Sequence, residues 1–306
     1  MKPDLDLPVM SSSEETALKN CPLAHHFAYD LRYKPIVTGQ KLSVGIGYHE
    51  GLEAYYRGGS LDDMLAAVDA WAEERWQEFV SAGIDDQTAA RLQWSVDRDL
   101  VRAMVTGYPD WVTEEGLDDG YRVEAVEESW YIEVPGADTI LPVKLDLLLR
   151  NERTGKLLVV DHKTRAQFYS DLTSYQLAEQ NGNYQLAVFA QYDERPDALA
   201  YREARKIVPS GRTKPPYYRE VRVLLTPEEM LYRVEEYQKM AALKANPDRP
   251  IYANPGSCCG SWKAEWKAAC LLVHQGYSPE EAVKLAGKYE QRDPYERYDE
   301  SELNEA

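Results

Sequence analysis

No apolar run in this 306-residue chain approaches the roughly 20 residues that a membrane-spanning helix needs. The first residues, MKPDLDLPVMSSSEE, contain no basic segment followed by an apolar one. No secretion signal is therefore read there, and the expected location is the cytoplasm. Positive charge is in short supply: 35 Lys and Arg against 52 Asp and Glu leave a net charge of −17. That excludes a surface uniformly coated for phosphate, which requires a basic footprint. Cysteine is scarce, with only Cys21, Cys258, Cys259 and Cys270. In a cytoplasmic chain of this size, four Cys point to reduced, buried or metal-bound thiols rather than a disulfide framework. Repeats and low-complexity tracts are absent.

What remains is a chain with 44% apolar and 28% charged residues, long enough for one elaborated domain or two small ones. Ser11–Ser13 offer caps for a helix over Glu14–Tyr29. Lys41–Tyr56 turns into a helix, and Leu65, Val68, Trp71 and Trp76 recur at helical spacing within Leu61–Val80. Gln87–Gly107 reads as another helix, and Pro109–Gly120 as an acidic, turn-rich connector. Strands are expected at Val123–Val134, Ala200–Val208 and Tyr217–Leu225, with a long helix over Asp171–Tyr192. Thr226-Pro227-Glu228-Glu229 caps a helix that runs to about Ala245. Helices near Ala264–Gln275 and Ser278–Lys288 close the chain. The expected divisions are a mainly helical part over 11–120, an α/β core over 121–225 and a helical part with cysteines over 226–306. All three belong to one elaborated domain spanning 1–306.

Within the core, LPVKLDLLLRNERTGKLLVVDHKTR reads as a β-hairpin. Its apolar runs Leu145–Leu149 and Leu157–Val160 flank turn formers at Asn151–Gly155. Asp146, Asp161 and Lys163 are set into those runs, where an ionisable group is expensive unless paired or metal-bound. Asp161 and Lys163, two apart on a strand, share a face, and the hairpin brings Asp146 beside Asp161. Two converging carboxylates suit a hard divalent cation such as Mg²⁺ or Mn²⁺. A lysine beside them suits phosphodiester hydrolysis. On spacing alone a solvated strand-end pair stays open, because D-x-K is common by chance. Between Lys144 and Arg165 stand six Lys or Arg against three acidic residues, so a local basic surface is compatible with the overall acidity.

These residues resemble the PD-(D/E)XK nuclease superfamily, especially its RecB-type exonucleases, which include CRISPR adaptation and phage enzymes. Asp146 in KLDLLL and Asp161-His162-Lys163-Thr164 in VVDHKT are similar to the family's two metal-site strands. Tyr184-Gln185-Leu186-Ala187-Val188-Phe189 resembles its helical Q-L-x-x-Y motif, with Phe189 in the tyrosine position. Gly45-Ile46-Gly47-Tyr48-His49-Glu50 resembles its glycine-then-histidine helix. The resemblance implies an α/β, restriction-endonuclease-like core: a central mixed sheet flanked by helices, with helical additions at both ends. It implies catalytic roles for Asp146, Asp161, Lys163 and Gln185, the last contacting substrate or bracing Lys163. His49 becomes a metal ligand with Asp146 and Asp161, and Glu127 a glutamate near the centre, with Glu128 facing away. His162 alternates away and is not expected to be catalytic.

Asn20-Cys21-Pro22-Leu23 resembles the opening of iron–sulfur members of this group, in which one early and three late Cys hold a [4Fe–4S] cluster. Cys258, Cys259 and Cys270 form the late set here, although Cys258 and Cys259 are adjacent where relatives separate them. A cluster, a site replaced by packing of Trp262 and Trp266, and a zinc site all stay open. The function implied is a Mg²⁺- or Mn²⁺-dependent DNA nuclease, an exonuclease on single strands or duplex ends. Arg165 and Lys144 are candidate phosphate contacts. Recombination or replication proteins are the implied partners, in a bacterial or phage-infected cell. The alternatives are an inactive DNA-binding or assembly subunit and an endonuclease.

Overall fold

The structure, a computed structural model, describes residues 7–37, 39–83, 87–256 and 265–298. Ser11 opens the first helix by accepting the Glu14 N–H. The chain then forms α1 (Ser12–Asn20), α2 (Pro22–His25), a π-helical turn at His26–Asp30, β1 (Tyr33–Pro35), α3 (Gln40–Tyr56), α4 (Leu61–Ser81), α5 (Gln87–Thr106) and α6 (Tyr108–Glu114). The central part follows as β2 (Tyr121–Glu133), β3 (Ile140–Asn151), β4 (Leu157–Arg165), α7 (Thr173–Gln176), α8 (Glu179–Tyr192), β5 (Ala198–Arg205) and β6 (Tyr218–Val223). It ends with α9 (Pro227–Ala245), α10 (Lys267–His274), α11 (Pro279–Leu285) and β7 (Tyr289–Gln291).

The sheet is mixed, in the order β2-β3-β4-β5-β6; only β4 and β5 run parallel. Its central strand β4 is covered on both faces, which is why Leu157–Val160 is continuously apolar. Leu157 and Val159 join a core with Trp130, Val188 and Tyr237, on the side of α8 and α9. Leu158 and Val160 join the opposite core with Tyr48, Met64, Val68 and Tyr108, on the side of α3 to α6. The fold is thus the α/β arrangement expected, a mixed sheet between helices with helical additions at both ends. No described helix is long and apolar enough to cross a membrane.

Three local expectations are corrected, and one strand pairing is new. The helix expected over Glu14–Tyr29 breaks at Cys21, because Pro22 has no N–H to continue it and instead starts α2. The acidic connector contains α6, with Pro109 in its first turn. The long helix over Asp171–Tyr192 is two, separated where Ala178 adopts extended backbone. β7 pairs antiparallel with β1, a contact between distant segments that local pattern does not announce. Beside that pair, Cys21, Phe27, Trp266, Cys270 and Tyr289 share a third core.

α3 is drawn unusually close to its neighbours. A Cβ on Gly47 would lie 2.4 Å from the Trp71 ring on α4, and one on Gly51 would lie 2.6 Å from Val105 Cγ1 on α5. Glycine at these positions lets α3 settle against α4 and α5. α1 is held by charge: buried Glu14 meets His25 Nε2 at 3.0 Å and Lys244 Nζ at 2.7 Å, and buried Glu15 pairs with Arg233 of α9.

Candidate active site

β3 and β4 pair only from Leu147↔Val160 to Arg150↔Leu157. Asp146 and Asp161 are the next opposed positions, at the fork where the strands part. The departure of β3 leaves the peptide groups of His162 without a ladder partner, and buried backbone groups must find one. The His162 N–H donates to Asp146 Oδ2 at 2.7 Å, and its carbonyl accepts from His49 Nε2 at 2.9 Å. One peptide residue thereby holds two functional side chains.

That second bond decides the chemistry of His49. A carbonyl can only accept, so Nε2 carries a proton and Nδ1 is the ring atom turned inward. Nδ1 lies 3.4 Å from Glu127 Oε1 and 3.6 Å from Asp146 Oδ2. There it can hold a second proton against the carboxylates, or give its lone pair to a cation that replaces that proton. Burial alone would depress the His49 pKa, but the charges of Asp146 and Glu127 outweigh it and raise it to about 9. Burial raises Asp146, and Glu127 adds to the shift against His49 and Lys163. Burial also pushes Asp161 up to about 6, with Lys163 opposing and Asp146 reinforcing.

His49, Glu127 and Asp146 offer one nitrogen and two carboxylate oxygens, all within 4.8 Å of one another. This donor set fits a divalent cation. Glu127 reaches it through a left-handed backbone, φ 50°, on β2. Such a conformation in a non-glycine residue costs roughly 1–3 kcal/mol and persists where the surroundings impose it. Its neighbour Glu128 is turned away and accepts the Trp130 indole N–H at 2.9 Å. Lys144 stands 3.4 Å from Glu127 Oε2.

Asp161 is fully buried. Lys163 Nζ lies 2.9 Å from its Oδ1 and 2.8 Å from its Oδ2, but only Oδ1 receives a well-directed hydrogen bond. Gln180, not Gln185, braces this pair. Its carbonyl accepts from Lys163 Nζ at 2.8 Å, and its amide donates to Asp161 Oδ1 at 3.2 Å and to the Tyr184 hydroxyl at 2.6 Å. Gln185 is buried and donates to Asn181 Oδ1 at 2.6 Å, while Phe189 is exposed. Five residues along a helix rotate a side chain by about 140° beyond a full turn, so Gln180 and Gln185 cannot serve the same site. The i, i+4 spacing of Gln180 and Tyr184 was the available signal.

The structure thus brings His49, Glu127, Asp146, Asp161 and Lys163 to one fork, adds Gln180, and leaves Gln185 outside. His162 faces the opposite side as expected. Its ring stacks on Tyr56 with centroids 5.7 Å apart, and its Nε2 meets the Tyr108 hydroxyl at 3.0 Å. Burial, reinforced by His49 and then Arg202, holds its pKa well below the usual value. The fully buried Arg202 locks this layer through Tyr56 at 2.7 Å, Asp118 at 2.8 Å and Glu220 at 2.8 Å.

The sequence profile of the PD-(D/E)XK nuclease superfamily matches residues 9–270. The chain belongs to that superfamily. No curated protein matches it. The candidate metal set lies inside the superfamily match, where α3 meets β2 and β3. Of the expected cysteine ligands, Cys21 and Cys270 are buried in the third core, and Cys21 Sγ accepts the Asn254 N–H at 3.3 Å. Trp266 stacks there on Phe27 and Tyr289. Cys258, Cys259 and Trp262 lie outside the described residues.

Proposed function

We propose that this PD-(D/E)XK protein is a Mg²⁺- or Mn²⁺-dependent deoxyribonuclease of the RecB type, acting from DNA ends. The observation that carries this reading is the strand fork. There, His49 Nδ1 converges with Glu127 and Asp146, and Lys163 stands beside Asp161. His49, Glu127 and Asp146 would hold the cation, with Asp161 across the fork. When bound, the cation supplies an acidified water and Lewis acidity toward a phosphate oxygen. The oxygen-rich donor set favours Mg²⁺ or Mn²⁺.

The chain's own groups have distinct tasks. Lys163 brings a positive charge to the developing charge on the phosphoryl oxygens. Gln180 keeps that ammonium at Asp161 and limits its rotamers. The His162 peptide orients Asp146 and His49. Recombination, phage replication and CRISPR adaptation are the pathways in which RecB-type relatives act, and their proteins are the proposed partners. On the same reading, Cys21, Cys258, Cys259 and Cys270 are candidate thiolates for a [4Fe–4S] cluster, with a zinc site or a core packed by tryptophan as the alternatives. Iron and acid-labile sulfide in anaerobically purified protein test that assignment; absence of both from folded protein removes it.

The decisive assay compares end-labelled linear DNA with closed circular DNA, with and without Mn²⁺. Metal-dependent loss of linear DNA alone supports an exonuclease, and cutting of circles would make it an endonuclease. Asp161→Ala and Lys163→Ala should abolish cleavage in folded protein. Full activity in either variant sinks the mechanism.

A further inference from the structure

Residues 205–219 contain Arg205, Lys206, Arg212, Lys214 and Arg219 and no Asp or Glu, in a chain of net charge −17. This is the β5–β6 hairpin, and the sheet register places its base beside the site. Lys163 is aligned with Glu203, which is aligned with Arg219; Arg165 is aligned with Arg205. Aligned residues on neighbouring strands share a face, and two strand spacings amount to about 10 Å. The hairpin therefore leaves the sheet from the end of β4 that carries Lys163.

Its parts are held in place. Fully buried Glu203 accepts Arg165 Nε at 2.8 Å and Arg219 Nε at 2.6 Å, together with the Tyr175 hydroxyl at 2.6 Å. Arg165 is gripped from the Nε side, and among the described residues its two terminal nitrogens have no protein hydrogen bond. Its guanidinium lies over Tyr169, 5.6 Å from the ring centroid, and that of Arg219 lies 4.8 Å over Phe168. Tyr169 is 50% exposed. Farther out, the Arg205 side chain donates to the carbonyls of Lys214 at 2.8 Å and Pro216 at 3.2 Å, which fixes the loop. Arg212 and Lys214 point to solvent with no ion pair among the described residues.

We infer that this hairpin and the Phe168–Tyr169 segment form a track for one unpaired DNA strand leading to Lys163. Arg165, Arg212 and Lys214 take its phosphates, and Tyr169 stacks on a base. The inference rests on the nuclease reading and adds where the substrate lies. The occupant is a single strand because an exposed ring can stack only on a base whose face is free. Each phosphate contact contributes to affinity through counterion release.

The test is fluorescence anisotropy with labelled oligo-dT, and with a labelled duplex, on the full chain in EDTA. Arg212→Ala/Lys214→Ala should lower the slope of log affinity against log salt by about 1.4 for the single strand. Tyr169→Ala should weaken oligo-dT binding roughly 5- to 150-fold, with less effect on duplex. Both variants should melt like the wild type. An unchanged salt slope in the double variant overturns the track, as does an equal loss on duplex and single strand for Tyr169→Ala. Mn²⁺-dependent cleavage by the same wild-type preparation separates the outcomes. Cleavage with an unchanged slope removes only the track; a wild type that neither binds nor cleaves removes the nuclease reading as well.

Discussion

Gln180→Ala and Gln185→Ala should have opposite consequences, although both remove a glutamine from the same face-to-core helix, α8. Gln180 contributes two hydrogen bonds to charged groups, one from Lys163 Nζ at 2.8 Å and one to Asp161 Oδ1 at 3.2 Å. Bonds to ionised partners contribute about 1.5–3 kcal/mol. If about 2 kcal/mol of that is transition-state positioning, kcat falls roughly 30-fold. Thermal stability should change little, because Lys163 and Asp161 keep each other. Gln185 is buried and bonded to Asn181 at 2.6 Å. Its loss leaves Asn181 short of a donor in the interior, which costs about 1–3 kcal/mol of stability, with kcat for the folded fraction near wild type. The assay is Mn²⁺-dependent release of labelled nucleotide, paired with urea unfolding of each variant. A thirtyfold loss of kcat in a stable Gln185→Ala, with Gln180→Ala unaffected, would refute the positioning argument.

Other consequences concern the frame around the site. Arg202→Met should destabilise by about 3–5 kcal/mol, because it removes a fully buried cation that Glu220, Asp118 and the Tyr56 hydroxyl all engage; urea titration reads this, and a change below 1 kcal/mol contradicts it. Gly47→Ala should destabilise by about 1–3 kcal/mol despite alanine's better helix propensity, since the added methyl meets the Trp71 ring; a raised melting temperature contradicts the close approach. Glu203 has a lowered pKa: burial opposes ionisation, and hydrogen bonds from Tyr175, Arg165 and Arg219 outweigh it. Its stabilisation is therefore present above the unfolded glutamate value of about 4.3 and is lost as pH falls through the lower folded value. Glu203→Gln should be less stable than wild type at pH 7, with the gap narrowing as pH falls below the unfolded glutamate value of about 4.3. A gap that widens as pH falls contradicts the assignment.

Much of this protein is legible in one dimension. Leu157–Val160 announces a strand buried on both faces, because only such a strand can be apolar at every position. Thr226-Pro227-Glu228-Glu229 announces a helix start, and the structure has the full capping box there. Asp161 and Lys163 announce themselves as charges inside an apolar segment. These signals are local: they depend on backbone periodicity, on the chemistry of a cap, or on the solvation cost of one residue.

Gln180 and the Glu203 brace were not legible in that way, and Glu127 was marked only by resemblance. Gln180 and Gln185 are equally glutamine; only the break at Ala178 sets the helix phase and decides which one faces Lys163. Glu127 joins His49 and Asp146 as a candidate ligand where its backbone is left-handed opposite Asp146, a conformation that composition does not encode. The basic hairpin is visible as a run of charge, but its relation to Lys163 arises from the parallel pairing of β4 and β5. The sequence alone determined which elements exist and which residues are too polar for their surroundings. The tertiary structure decided which of those residues meet, because helix phase, strand register and the fork between β3 and β4 are set by contacts between segments far apart in the chain.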